Sequence, residues 1–279
     1  HVFGTFNALP SPFSAESEVH PRRAKAAPEG SPKAEKNALF SSRANNLGDD
    51  NEEAYSNPAF LNMQYNISSN VGSAVYNQTV FEALGQKYAL SDLRTFQKAT
   101  NTPLDTPYNI GGGEIESCNV GQCDEGSLDL QYINALCHTT GVIYWEVADD
   151  VFVDNFIVQV SNDPNPPTVI SISYTLPETS TSRSYYDAFN QQAVSLGLRG
   201  VTIMASSGDS GVNQRGCGTK GCGYTALFPA SSPWVTSVGA TQGHVPSSSE
   251  DQSYPSLTYE QACSVGTGGI ITTGGGFST

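Results

Sequence analysis

Between residues 60 and 240 the chain alternates short, unbroken apolar runs with longer segments of helical period. A run of this kind, rich in β-branched and aromatic residues, is the pattern of a strand buried on both faces. Four segments carry it: 141–148, 168–174, 201–206 and 234–240. Between them the spacing predicts helices over 91–99, opened by a serine cap, over 125–138, and over 183–198. The last has Tyr186, Phe189, Ala193, Leu196 and Leu198 on roughly one face. Strands alternating with helices at this spacing predict an α/β fold, a parallel sheet with helices on both faces. No internal repeat is present. In such sheets working residues collect at the carboxyl ends of the strands.

Residues 10–54 break the pattern. They are rich in Ala, Ser, Pro, Asn and charge, with few large apolar residues after Phe13, and cannot bury a core. The basic run His20-Pro-Arg-Arg-Ala-Lys-Ala reads equally as solvated linker charge and as a processing site. Composition narrows the partners. The chain holds 13 Lys and Arg against 27 Asp and Glu, a net charge of −14, and charged residues make up 14% against roughly 25% in an ordinary soluble domain. Residues 55–279 carry only 7 of the bases but 19 of the acids. A surface so poor in cations cannot bind a phosphate backbone through counterion release, which argues against nucleic acid. No run of about 18 apolar residues appears that could span a membrane.

The six cysteines include two pairs of C-x4-C spacing, Cys118 with Cys123 and Cys217 with Cys222, each in a glycine-containing, loop-like segment. Zinc pairs are usually closer and lie near further ligands, and no His flanks either pair, so disulfides are favoured over metal. Cys137 and Cys263 fall outside these pairs. The triplets Asn66-Ile-Ser and Asn77-Gln-Thr are glycosylation sequons, a weak signal that fits a secretory route.

Two constellations carry chemistry. In Asp124-Glu-Gly-Ser-Leu-Asp-Leu-Gln-Tyr-Ile, Glu125 and Asp129 stand at i and i+4, on one face and within interaction range. Leu128, Tyr132 and Ile133 imply that this face is partly buried. A buried carboxylate pair sharing one proton has split titrations, which suits acid–base chemistry in acid. The plainer alternative is that acids in a first turn complement the helix dipole. The second constellation is Asp209, where the predicted strand 201–206 runs into Ser207-Gly-Asp-Ser-Gly. An Asx-turn is one reading of it. Gly208-Asp-Ser-Gly also resembles the nucleophile loop of chymotrypsin-like proteases, but that family is all-β and places its base in an Ala-His-Cys context. His1, His20, His138 and His244 all lack that context, so Ser210 is rejected as such a nucleophile and a Ser-His-Asp triad is disfavoured. A hydrolase built here needs carboxylates as bases.

These pieces, in order, resemble the sedolisins, serine-carboxyl peptidases of subtilisin-like fold, and within that family its tripeptidyl-peptidases. The resemblance rests on Tyr65-Asn-Ile-Ser-Ser-Asn-Val-Gly-Ser, Phe81-Glu-Ala-Leu-Gly-Gln-Lys-Tyr and the Glu125–Tyr132 segment. It continues through Ser171-Ile-Ser-Tyr, Ala205-Ser-Ser-Gly-Asp-Ser-Gly, Phe228-Pro-Ala-Ser-Ser-Pro-Trp and Gly274-Gly-Gly-Phe-Ser. It covers residues 60–279 and implies that 55–279 form the N-terminal part of the catalytic domain, with 1–54 a pro-domain remnant and linker. It further implies that Glu125 is a general base for a serine nucleophile, that Asp129 orients and tunes it, and that Asp209 is a neutral acid in the oxyanion hole. An ionised Asp cannot donate a hydrogen bond to an oxyanion and a protonated one can, so activity is expected in acid. The scarcity of Lys and Arg fits that setting, since few ion pairs exist to be lost there.

The family's nucleophile lies in a Gly-Thr-Ser-Ala-type segment, and none occurs in residues 1–279. Nucleophile and calcium ligands are therefore expected beyond Thr279, with this chain a fragment, a processed chain or a truncated product. An inactive, peptidase-derived binding protein is the alternative. The expected partners are peptide substrates, the pro-domain and a C-terminal remainder, and the expected location is secreted or lysosomal/vacuolar. A small-molecule α/β hydrolase or nucleotide binder finds no support: there is no G-x-S-x-G elbow, and the glycines at 111–113 and 274–276 lack phosphate-loop spacing.

Overall fold

A computed structural model describes residues 56–119, 121–147, 152–180, 182–212, 225–243 and 260–275. The linker with its basic run, His244 and the tail of the 274–278 landmark lie outside the described residues. So do Cys217 and Cys222, with the disulfide expected between them.

Six parallel strands form the central sheet: β1 (Asn77–Glu82), β3 (Tyr108–Ile110), β5 (Gly141–Glu146), β6 (Val169–Ile172), β8 (Thr202–Ser206) and β10 (Thr236–Val238). Their spatial order is β10-β8-β6-β1-β5-β3, with every neighbouring pair parallel. Three short ladders complete the strands: β2 (Tyr88–Ala89) with β4 (Glu114–Ile115), β7 (Leu176–Pro177) with β9 (Leu227–Phe228), and β11 (Thr241–Gly243) with β12 (Glu260–Ala262). The described helices are α1 (Pro58–Gln64), α2 (Leu90–Ala99), α3 (Asp124–Leu136), α4 (Phe152–Asn162) and α5 (Arg183–Leu198). The expected α/β subtilisin-like architecture is the observed one. Strands stop one or two residues short of the apolar runs at several ends, where the chain leaves the ladder for the connecting loops. The helix over 91–99 begins instead at Leu90, without a side-chain cap. Ser91 falls in its first turn because β2, paired with β4, delivers the chain already extended.

Alternation along the strands loads the two sheet faces differently. Phe81, Trp145, Ile170, Ile172, Ile203 and Ala205 join Phe156, Ile157 and Val160 of α4 and Phe189, Ala193 and Leu196 of α5 in the larger core. Val80, Val142 and Tyr144 face the other way, against Tyr88, Leu93 of α2 and Leu130 of α3. β1 lies at the centre and pairs with both β5 and β6, so Glu82 ends it directly beside Glu146.

Candidate active site

The helix predicted to carry the carboxylate pair has its first turn at the carboxyl edge of the sheet. Four local features hold it there. A disulfide, Cys118–Cys123, closes the loop immediately before α3 with Cα atoms 5.8 Å apart, in agreement with the C-x4-C spacing. The Lys87 amide donates to Gln122 O at 2.9 Å. Gln86 caps the helix from another element: its Oε1 accepts the Glu125 amide at 3.2 Å, one of the donors a helix N-terminus leaves unpaired. Gly126 is required by close approach, since a Cβ there would lie 2.3 Å from Tyr144 Oη and 2.6 Å from Lys87 O. The glycine between the two acids of the motif thus permits docking on the sheet edge.

Glu125 is only 6% exposed and both its carboxyl oxygens are withdrawn from solvent. Asp129, one turn later, keeps part of its surface open. Its carboxyl is nevertheless pushed up to about 6, mainly by burial, with the Ser173 hydroxyl opposing the shift. That hydroxyl donates to Asp129 Oδ2 at 2.5 Å from the residue just past the end of β6. The next residue, Tyr174, donates to Glu82 Oε2 at 2.8 Å. Glu82 is fully buried and held well above the usual carboxylate range, first by burial, then by the charges of Asp129, Glu125 and Glu146, with the Tyr174 bond opposing. Lys87 Nζ meets Glu146 at 2.5 Å and also donates to Gly112 O. An acidic cluster with one cation at its margin therefore occupies this edge, where burial favours protonated carboxyls.

Asp209 stands three residues past the end of β8, the neighbour of β6. Its backbone is held by the segment 272–274: Thr272 N donates to Asp209 O at 2.9 Å, Gly211 N to Thr272 O at 2.9 Å and Gly274 N to Gly208 O at 2.6 Å. Gly208 has φ 95°, and a Cβ on Gly274 would come 1.7 Å from Ser207 O, so both positions need glycine. Asp209 Oδ1 is withdrawn from solvent. The structure thus brings Glu125 and Asp129 to one sheet edge and sets Asp209 on the loop leaving an adjacent strand.

Of the sequons, Asn66 is exposed with φ 52°, whereas Asn77 opens β1 and its Thr79 is fully buried. Cys137 and Cys263 are free thiols. Among the described residues no group of three His, Cys, Asp or Glu is placed to hold a metal ion. No helix among them is long and apolar enough to cross a membrane. Sequence reasoning assigned no role to Gln86, Ser173, Tyr174, Glu82, Lys87 or Glu146. The available signal was an acid closing an apolar run, as in Val80-Phe-Glu and Tyr144-Trp-Glu.

No protein-family model matches the chain. Physarolisin of Physarum polycephalum is 31% identical over 218 residues, 69% of this chain and 37% of that protein. Tripeptidyl-peptidase 1 of Dictyostelium discoideum is 30% identical over 199 residues, 68% of this chain and 32% of its own length. The human tripeptidyl-peptidase 1 is 30% identical over 208 residues, 68% of this chain and 35% of its own length. The chain thus spans about a third of the length of these relatives. Among solved structures, Pseudomonas sedolisin, a serine-carboxyl proteinase complexed with two molecules of pseudo-iodotyrostatin, superposes with a TM-score of 0.58 at 23% identity. The match covers 80% of this chain and 63% of that one, and it concerns the fold.

Proposed function

The chain belongs to the sedolisin family, and on that premise we propose that it forms part of an acid-acting serine-carboxyl peptidase that hydrolyses peptide bonds. The observation that carries the reading is the Glu125/Asp129 pair at the carboxyl edge of the parallel sheet, with the Asp129 carboxyl raised to about 6. Below that pH Asp129 is protonated, and Glu125 is assigned the role of base. A serine hydroxyl, from a segment outside residues 1–279, attacks the peptide carbonyl and passes its proton to Glu125. Asp209, protonated in acid, donates a hydrogen bond to the developing oxyanion. Glu125 then hands its proton to the leaving amine, and water releases the acyl group by the same route. At neutral pH an ionised Asp209 has no proton to donate, and the reaction slows.

The substrates are peptides or proteins, with removal of tripeptides from free N-termini the form suggested by the named relatives. The pro-domain and a C-terminal remainder complete the assembly. Calcium is held by ligands outside these residues. The setting is a secreted or lysosomal/vacuolar, acidic compartment. The test is cleavage of peptides by the full-length protein at pH about 4. Glu125→Gln should lower kcat/KM by on the order of 10³-fold or more. Full activity in that variant defeats the mechanism, and peptide binding without cleavage in the unaltered protein points to the inactive binding protein instead.

A further inference from the structure

β6 ends at Ile172, and the two residues that follow send their hydroxyls to two different carboxyls. Tyr174 serves Glu82 of β1. Ser173, only 2% exposed, serves Asp129 of α3, 44 residues away in sequence. A serine hydroxyl has a single proton, and here it lies between Ser173 Oγ and Asp129 Oδ2. Two protons cannot occupy the 2.5 Å between those oxygens, so a proton on Asp129 sits on Oδ1.

The surroundings make this bond matter. Around Asp129 stand Glu125 one turn earlier on its own helix, Glu82 at the end of β1 and the Tyr144 hydroxyl from β5, while Glu146 and the Tyr174 hydroxyl border Glu82. All are acids or groups that cannot offer positive charge. Lys87, the cation of the cluster, is engaged with Glu146. The Ser173 hydroxyl therefore supplies the stabilisation that the ionised form of Asp129 receives, and it also fixes the carboxyl plane.

We propose that Ser173 is a positioning residue of the carboxylate pair, holding Asp129 by Oδ2 so that the Asp129 proton sits on Oδ1 and the carboxyl plane is fixed one turn from Glu125. This rests on the peptidase reading for its catalytic consequence but not for its structural one. Its effect is exerted through Asp129, and Ser173 itself touches no substrate.

The experiment uses the full-length protein with Ser173→Ala, Ser173→Thr and Ser173→Val. It follows the carboxyl titration of Asp129 by ¹³C NMR, assigned through Asp129→Asn, together with the pH profile of peptide cleavage. In Ser173→Ala the Asp129 midpoint should rise by about one pH unit, since a donor to the charged form is lost. The alkaline limb of the profile should move the same way. kcat should fall on the order of 10-fold with little change in KM, the scale of one hydrogen bond to a charged group. Ser173→Thr, which keeps the hydroxyl, should restore most of the midpoint and rate, and Ser173→Val, of the same shape without it, should not. The Thr/Val pair decides the matter even where the alanine variant does not fold. An unmoved midpoint in the folded Ala or Val variants, or equal behaviour of Thr and Val, overturns the proposal. If the unaltered protein cleaves no peptide, the peptidase reading falls while the titration still decides the role of Ser173.

Discussion

The two faces of the central sheet are built from the same strands and do opposite work. On the face covered by α4 and α5 the contacts are aromatic and aliphatic. Phe81 lies 4.6 Å from Phe156, Trp145 meets Phe156 edge-on at 5.5 Å, and Phe189 meets Phe228 at 4.9 Å. Such contacts satisfy themselves and need no partner of a particular charge. On the face covered by α2 and α3 a smaller apolar cluster is interrupted by buried polar groups: Glu82, Gln97, Glu125 and Asn134. Part of that polarity is structural, since Gln97 Nε2 bonds Asn134 Oδ1 at 2.9 Å and Asp105 O at 2.9 Å, tying α2 to α3. The rest is the acidic cluster. Desolvated carboxyls raise the free energy of the folded chain at neutral pH, and the apolar face opposite is what tolerates them.

This division can be broken most forcefully from either side. Phe156→Ala removes a fully buried ring on the apolar face and should cost about 3–5 kcal/mol of stability, read by denaturant unfolding. At temperatures where it remains folded, its pH profile should match that of the parent. Glu125→Gln should do the reverse, abolishing cleavage with an unchanged or raised melting temperature. If Phe156→Ala shifted the pH profile, the faces would not be separable as described.

A smaller change tests the docking of the site. Gly126→Ala places a methyl against Tyr144 Oη and Lys87 O and should cost about 1–3 kcal/mol by overpacking, with a loss of rate because α3 shifts from the sheet edge. A variant with parental stability and rate would show that this approach is not close in solution.

The mildest test is pH. Glu82 and Asp129 both bind protons more tightly in the folded chain than their ordinary values, so their contribution favours folding in acid. It is fully present below the ordinary carboxyl range near pH ~4 and is lost as pH rises through the folded-state values, about 6 for Asp129 and above the ordinary range for Glu82. The melting temperature should therefore be higher at pH ~4 than at pH ~7. Glu82→Gln should narrow that gap by a few degrees, chiefly by stabilising the protein at the higher pH. A parent protein equally stable at both pH values would contradict the desolvation described for this face.

Much of the site was legible because its signals are short in range. The i, i+4 spacing puts Glu125 and Asp129 on one face of α3 whatever surrounds it, and Cys118 and Cys123 are close enough in the chain to find each other. The apolar runs of β5, β6 and β8 and the period of α5 were equally plain. Less legible was β1, whose Asn-Gln-Thr opening hides a central strand. The apolar-rich α4 drew no prediction, because a run with Val, Phe and Ile so frequent suits helix and strand alike.

The residue sequence by itself determined the fold class, the location of the carboxylates at strand and helix ends, and the family. Tertiary structure alone decided what those carboxylates are. Gln86 reaches the Glu125 amide across 39 residues of sequence, Ser173 reaches Asp129 across 44, and Tyr174 reaches Glu82 across 92. The proton affinity of a carboxyl depends on how much water it has lost and on which donors and charges stand within a few ångströms. Both are set by elements far apart in the chain, so they come into being only when the sheet closes.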